Sequence, residues 1–221
     1  MATCYMCDRE ATTVEHAPPR CIFPEIKDTP DGTDYRQNLI TVPSCSEHNT
    51  AKSHDDEYLL FILAASITSS NVGLSQFLTK VKRSAERKPA LASKMARNSA
   101  PVRIFHEGRQ QWEDAAGIVV EGARIDAMIS KCARALYFRE SNRKFLGAVR
   151  VITSFTMYGD LSFNSSISSA VEAADNFFAS YPLRGKNSDV FWYKFEEGEN
   201  TATMLLCFYG ATKILVQLDK R

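Results

Sequence analysis

The chain has 221 residues, a net charge of +1, 44% hydrophobic and 24% charged residues. That length supports one large domain or two small ones with a sizeable core, and the composition excludes fibrous and disordered classes. Near-neutrality excludes a global pull toward nucleic acid, and no apolar run approaches the roughly 20 residues of a membrane span. With no basic-then-apolar leader at the N-terminus, the reading is a cytoplasmic protein with no membrane partner.

The first fifty residues carry the chemistry. Cys4-x-x-Cys7 and Cys45-x-x-His48 each place two soft ligands on one tight turn, and together they make a Cys3His set able to close a tetrahedral zinc site. Between the pairs lie Glu15-His16-Ala17-Pro18-Pro19 and Asn38-Leu39; Asn49 follows His48 directly, and Lys52 comes three residues later. The stretch from Pro18 to Asn38 is rich in Pro, Asp, Gly and Thr, a turn composition. A short strand is expected at Leu39 to Val42, ending before Pro43, and a helix is expected to start near Glu47. Three cysteines remain, Cys21, Cys132 and Cys207; in a reducing compartment they read as free thiols, the last two as core residues.

From Cys4 to about Tyr58 this pattern resembles the HNH endonuclease family, the ββα-metal nucleases, in its zinc-bearing branch. His48 stands where many members have a fourth cysteine, and Asn49 where the last histidine usually sits, so the resemblance is to an H-N-N variant. It implies a ββα module in which zinc is structural and a second cation, Mg2+ or Mn2+, is catalytic. His16 would be the general base, because an imidazole is half available near neutral pH. Glu15 and Asn49 would offer hard oxygen ligands to the catalytic cation. By the same resemblance Asn38 would hold the loop carrying the base, and Lys52 would contact phosphate.

Further along, Tyr58, Leu59, Ile62 and Leu63 recur at helical spacing, so a helix is expected from Asp55 to Ser66. His54, Asp55 and Asp56 suit its N-terminus, with a further metal ligand as the alternative. Another helical segment is expected from about Leu74 to Asn98. Residues 80 to 103 hold Lys80, Lys82, Arg83, Arg87, Lys88, Lys94, Arg97 and Arg103 against the single acid Glu86. That stretch is the best sequence candidate for a phosphate-contacting element, Lys80, Lys82, Arg83, Arg87 and Lys88 foremost; a solvated helix face is the bland alternative.

Beyond Pro101, strand-like runs are expected at Val102 to His106, Gly117 to Val120, Phe145 to Phe155, Asp189 to Glu196, Ala202 to Tyr209 and Thr212 to Leu218. Two helices are expected among them. Glu121 to Tyr137 would bury Ile125, Met128, Ile129, Cys132 and Leu136; Ser165 to Tyr181 would bury Ile167, Val171, Ala174, Phe177 and Phe178. Tyr209-Gly210-Ala211-Thr212 reads as a hairpin turn.

The fold class expected is therefore α+β. A zinc-stabilised ββα-metal module (1–70) is followed by a basic helical segment (71–100) and an α+β domain with a mainly antiparallel sheet (101–221). The function implied is a metal-dependent endonuclease hydrolysing phosphodiester bonds in DNA. A zinc-stabilised binding module without catalysis and an RNA-cleaving effector are the alternatives, since a phosphodiester site does not read the 2′-hydroxyl. The C-terminal domain is left to hold substrate, to form a homo-oligomer or to sense a ligand.

Overall fold

The computed structural model describes residues 2–50, 53–66, 69–88, 93, 97–106 and 109–220. Strands β1 (Thr13–His16) and β2 (Thr41–Ser44) form an antiparallel hairpin that pairs Glu15 with Val42 and His16 with Thr41. Two 3₁₀ turns, Arg20–Ile22 and Ile26–Asp28, punctuate the long connection between them. The hairpin leads into α1 (Ser46–Thr50) and α2 (Ser53–Ala65), giving the order β, β, α. β2 lies two residues later than expected and runs through Pro43. In a two-stranded ribbon an outer position needs no ladder N–H, and the Pro43 carbonyl still accepts from Tyr5 N–H at 2.9 Å.

The expected second helix is α3 (Asn71–Gln76), a π-helical turn (Phe77–Val81) and α4 (Lys82–Arg87). Most of residues 89–96 lie outside the described residues, as do Lys52 and Lys94. This segment folds back onto the connection of the β1–β2 hairpin. Gln76 Nε2 donates to the Ile22 carbonyl at 2.8 Å, and Arg83 grips the buried Asp28 carboxylate through two bonds of 2.7 Å.

Strands β3 (Ser99–His106) and β4 (Gln111–Ile118) make a separate two-stranded ribbon. Then come α5 (Gly122–Ser141), β5 (Ala148–Thr153), α6 (Leu161–Phe177), β6 (Phe191–Glu197), β7 (Thr201–Phe208) and β8 (Thr212–Asp219). The last four strands form one antiparallel sheet in the order β5-β8-β7-β6. Consecutive residues on a strand face opposite sides, and Leu205, Leu206, Leu215 and Val216 are all buried, so both faces of the central strands are covered.

The 3.6-residue pattern of α5 holds in full: Ile125, Met128, Ile129, Cys132 and Leu136 are buried. The helix stops at Asn142, whose left-handed φ of 53° lets its N–H return to the Phe138 carbonyl. α6 is capped by Asp160, whose carboxylate accepts from the N–H groups of Ser162 and Phe163. Of the face expected to be buried there, Val171 and Phe178 are inside, but Phe177 is 56% exposed. Its ring packs at the surface on Phe178 and Tyr181.

One continuous buried cluster runs from Cys4, through α2 and α5, to Leu218. Among the described residues its members lie on both sides of residues 70 and 100. The turn after β7 locks the far ends of the chain together. Tyr209 and Gly210 both take positive φ, 47° and 77°, and Tyr209 Oη donates to the Ile22 carbonyl at 2.7 Å. The Tyr209 carbonyl accepts from Ser70 N–H, and Gly73 of α3 lies so close that an added Cβ would sit 3.0 Å from the tyrosine ring. Among the described residues no helix is long and apolar enough to cross a membrane.

Candidate metal centre and adjoining cleft

Cys4 and Cys7 sit on the turn before β1, and Cys45 and His48 where β2 passes into α1; pairing of β1 with β2 brings the two turns together. The ligand atoms of Cys4, Cys7, Cys45 and His48 all lie within 4.8 Å of one another, so the group can hold a metal ion. Zinc bonds of about 2.3 Å to sulfur and about 2.0 Å to nitrogen at tetrahedral angles would put sulfurs about 3.8 Å apart, and sulfur and nitrogen about 3.5 Å apart. The Cys7 and Cys45 sulfurs are 3.9 Å apart, and His48 Nδ1 lies 3.2, 3.4 and 3.6 Å from Cys45, Cys4 and Cys7. The donor set therefore fits zinc in both type and spacing.

Electrostatics point the same way. Burial opposes ionisation of Cys4, but the N–H groups of Met6 and Cys45 and the side chains of His48 and Cys45 outweigh it and bring the thiol down to about 6. Lys144, from the turn after α5, supports the first knuckle from outside by donating to the Cys7 carbonyl at 2.7 Å and to Asp8 at 2.8 Å.

Beside this centre lies a cleft of about 290 Å³, including its open mouth. β1 supplies Glu15 and His16, the start of α2 supplies Asp55 and Asp56, and α5 supplies Lys131 and Cys132. Glu15 is 5% exposed and His16 is half-buried. Burial, and then the charge of Arg20, lower the His16 pKa, so the neutral imidazole is favoured. Asp55 accepts from Arg124 Nε at 2.8 Å, and that guanidinium also lies 4.2 Å from the centre of the Tyr58 ring.

Asn49 and Asn38 are not among the residues lining this cleft. Asn49 is half-buried and donates through Nδ2 to the Val14 carbonyl at 3.2 Å, holding α1 against the strand that carries Glu15 and His16. Asn38 is exposed, takes a left-handed φ of 54° and does not line the cleft. It is a turn residue, a role for which asparagine is well suited. Ala17 N–H donates to the Ile40 carbonyl at the entry to the hairpin.

Three of the five foremost basic residues have partners within the chain. Lys80 donates to the Cys21 carbonyl, Arg83 pairs with Asp28, and Lys88 pairs with Glu57 at 2.6 Å. Lys82 and Arg87 are exposed, Arg87 donating to the Arg83 carbonyl. The part played by Lys131 was not read from the sequence. It sits within an α5 pattern that announces only core packing, and nothing local marks it as part of a cleft.

Comparison with protein-family models, with curated proteins and with solved structures returns no match for this chain.

Proposed function

We propose that the protein is a metal-dependent endonuclease that hydrolyses phosphodiester bonds in DNA, built on a ββα module of the HNH kind with a structural zinc. One observation carries the reading. The hairpin that gathers the Cys3His set also presents a half-buried histidine, favoured in its neutral form, and an adjacent carboxylate to an open cleft. A zinc-stabilised binding module has no need of that pairing.

In this reading zinc is structural, and its closed shell of protein ligands fixes the β1–β2 hairpin. His16 accepts the proton of the attacking water, and its lowered pKa keeps the base form available at neutral pH. Glu15 offers a hard oxygen ligand from the strand. Asn49, anchored through its amide nitrogen on Val14, retains its amide oxygen for a second ligand bond. Asp55, paired with Arg124, and Asp56 lie on the facing wall of the cleft. When bound, Mg2+ or Mn2+ would neutralise charge developing on the phosphate oxygens. Among the described residues, the Cys3His group alone has three or more ligand atoms converging as a metal cluster. A partly hydrated catalytic cation, held by few protein ligands, is consistent with that.

The test is incubation of zinc-loaded protein with plasmid DNA and, separately, with RNA, with and without Mg2+ or Mn2+. Nicking or cutting of the plasmid only with added cation is expected. Cutting of RNA alone would favour the RNA-cleaving alternative, and cleavage of neither would leave a zinc-stabilised binding module.

A further inference from the structure

Lys131 lies on the second turn of α5 after Ile125, flanked by the buried Ile129, Cys132 and Ala133. Its half-buried position beside the cleft lets the aliphatic stem pack while the ammonium group stays at the mouth. Three carboxylates, Glu15, Asp55 and Asp56, line the same cleft. Even so, among the described residues Lys131 makes no hydrogen bond or ion pair, while the nearby Arg124 is taken up by Asp55 and the His54 carbonyl. Half-buried, and without a hydrogen bond or ion pair among the described residues, Lys131 is available to an anion that arrives from outside.

A phosphodiester entering a cleft that holds carboxylates is favoured where positive charge meets it. Arg20 is exposed and near enough to His16 for its charge to act on the imidazole. The two cations come from elements more than a hundred residues apart in the chain.

We infer that Lys131 is a phosphate-contacting residue of the cleft, reaching from the C-terminal half of the chain to hold the nucleic-acid backbone over His16. This rests on the nuclease reading for its substrate class. It also gives the C-terminal half a part in the site: α5 forms one wall of it.

The experiment compares Lys131→Gln, Lys131→Arg and the unmodified zinc-loaded protein. Affinity for a short DNA duplex is measured against salt concentration without added divalent cation, and cleavage is then measured with Mg2+ or Mn2+. Lys131→Gln should bind about tenfold more weakly and lose about 0.9 from the slope of log affinity against log salt, the signature of one phosphate contact. Lys131→Arg should restore both, which a merely structural lysine would not do. Zinc content and melting temperature should be unchanged in each variant. If the unmodified protein cleaves DNA and Lys131→Gln matches it in slope and in kcat/KM, the inference is overturned and the nuclease reading stands. If nothing is cleaved but the slope still depends on Lys131, the nuclease reading fails and the phosphate contact stands. Neither binding nor cleavage by the unmodified protein overturns both.

Discussion

At the scale of single residues, two histidines with the same intrinsic chemistry are given different work by their surroundings. His48 turns Nδ1 toward three cysteine sulfurs and belongs to the metal centre. His16, at the end of β1, faces a cleft, and burial together with Arg20 favours its neutral form. The sign follows directly: a lowered pKa means that the base form persists to lower pH. An NMR titration of His16 in zinc-loaded protein without other divalent cations should therefore find a pKa below the ordinary imidazole value of about 6.5. The rising limb of any cleavage–pH profile should lie correspondingly on the acid side. His16→Ala should lower turnover by about 100-fold to 10,000-fold while leaving zinc content and DNA affinity nearly unchanged, because a base acts only in the transition state. Equal turnover in that variant would remove His16 from the mechanism.

At the scale of elements, α4 shows how a basic run can be structural. Arg83 grips Asp28, whose side chain is only 3% exposed, and Lys88 pairs with Glu57 of α2. Arg83→Ala would leave a buried carboxylate unpaired, and a loss of about 1–3 kcal/mol in denaturant unfolding is expected. The salt dependence of DNA binding should stay as it was. A fall in that slope with stability intact would restore the phosphate-binding role that composition suggested. The Tyr209 turn gives a contrasting magnitude. Tyr209→Phe removes the bond to the Ile22 carbonyl, but Gln76 still donates to that oxygen, so only about 1 kcal/mol should be lost in the same measurement.

At the scale of the molecule, the N-terminal hairpin, α2, α5 and the C-terminal sheet share one buried cluster, and polar contacts cross between its parts. Tyr58 Oη accepts from Glu121 N–H at 2.8 Å, and Lys144 braces the Cys7 turn. Zinc affinity in such a site is folding free energy. Removal of zinc by a chelator, or Cys45→Ala, should therefore lower the melting transition seen by tryptophan fluorescence, although Trp112 and Trp192 both lie beyond residue 101. An unchanged tryptophan transition in metal-free protein would show that the two halves fold independently. Limited proteolysis gives a second view, since cleavage confined to residues 89–98 would mark that stretch as the boundary between them.

Local rules determined a good part of this protein. The Cys-x-x-Cys and Cys-x-x-His spacings specified a metal-binding quartet because each tight turn already presents two ligands, needing only one hairpin to unite them. The periodicity of α5 named its buried face, and Tyr209-Gly210 announced the β7–β8 turn. Other assignments depended on partners distant in the chain. Asn38 takes a left-handed turn position, and the Asn49 amide holds β1 through the Val14 carbonyl, because a side-chain amide bonds whatever the fold sets beside it. Lys80, Arg83 and Lys88 found partners within the chain because the connection between β1 and β2 and the start of α2 offered a carbonyl and carboxylates within reach. Lys131 joined Glu15 and His16 only through the packing of α5 against the zinc-bearing hairpin. Spacing along a chain specifies what one turn or one helix face can gather; which charges meet across a cleft is set by packing between elements, and that is decided only when the core closes.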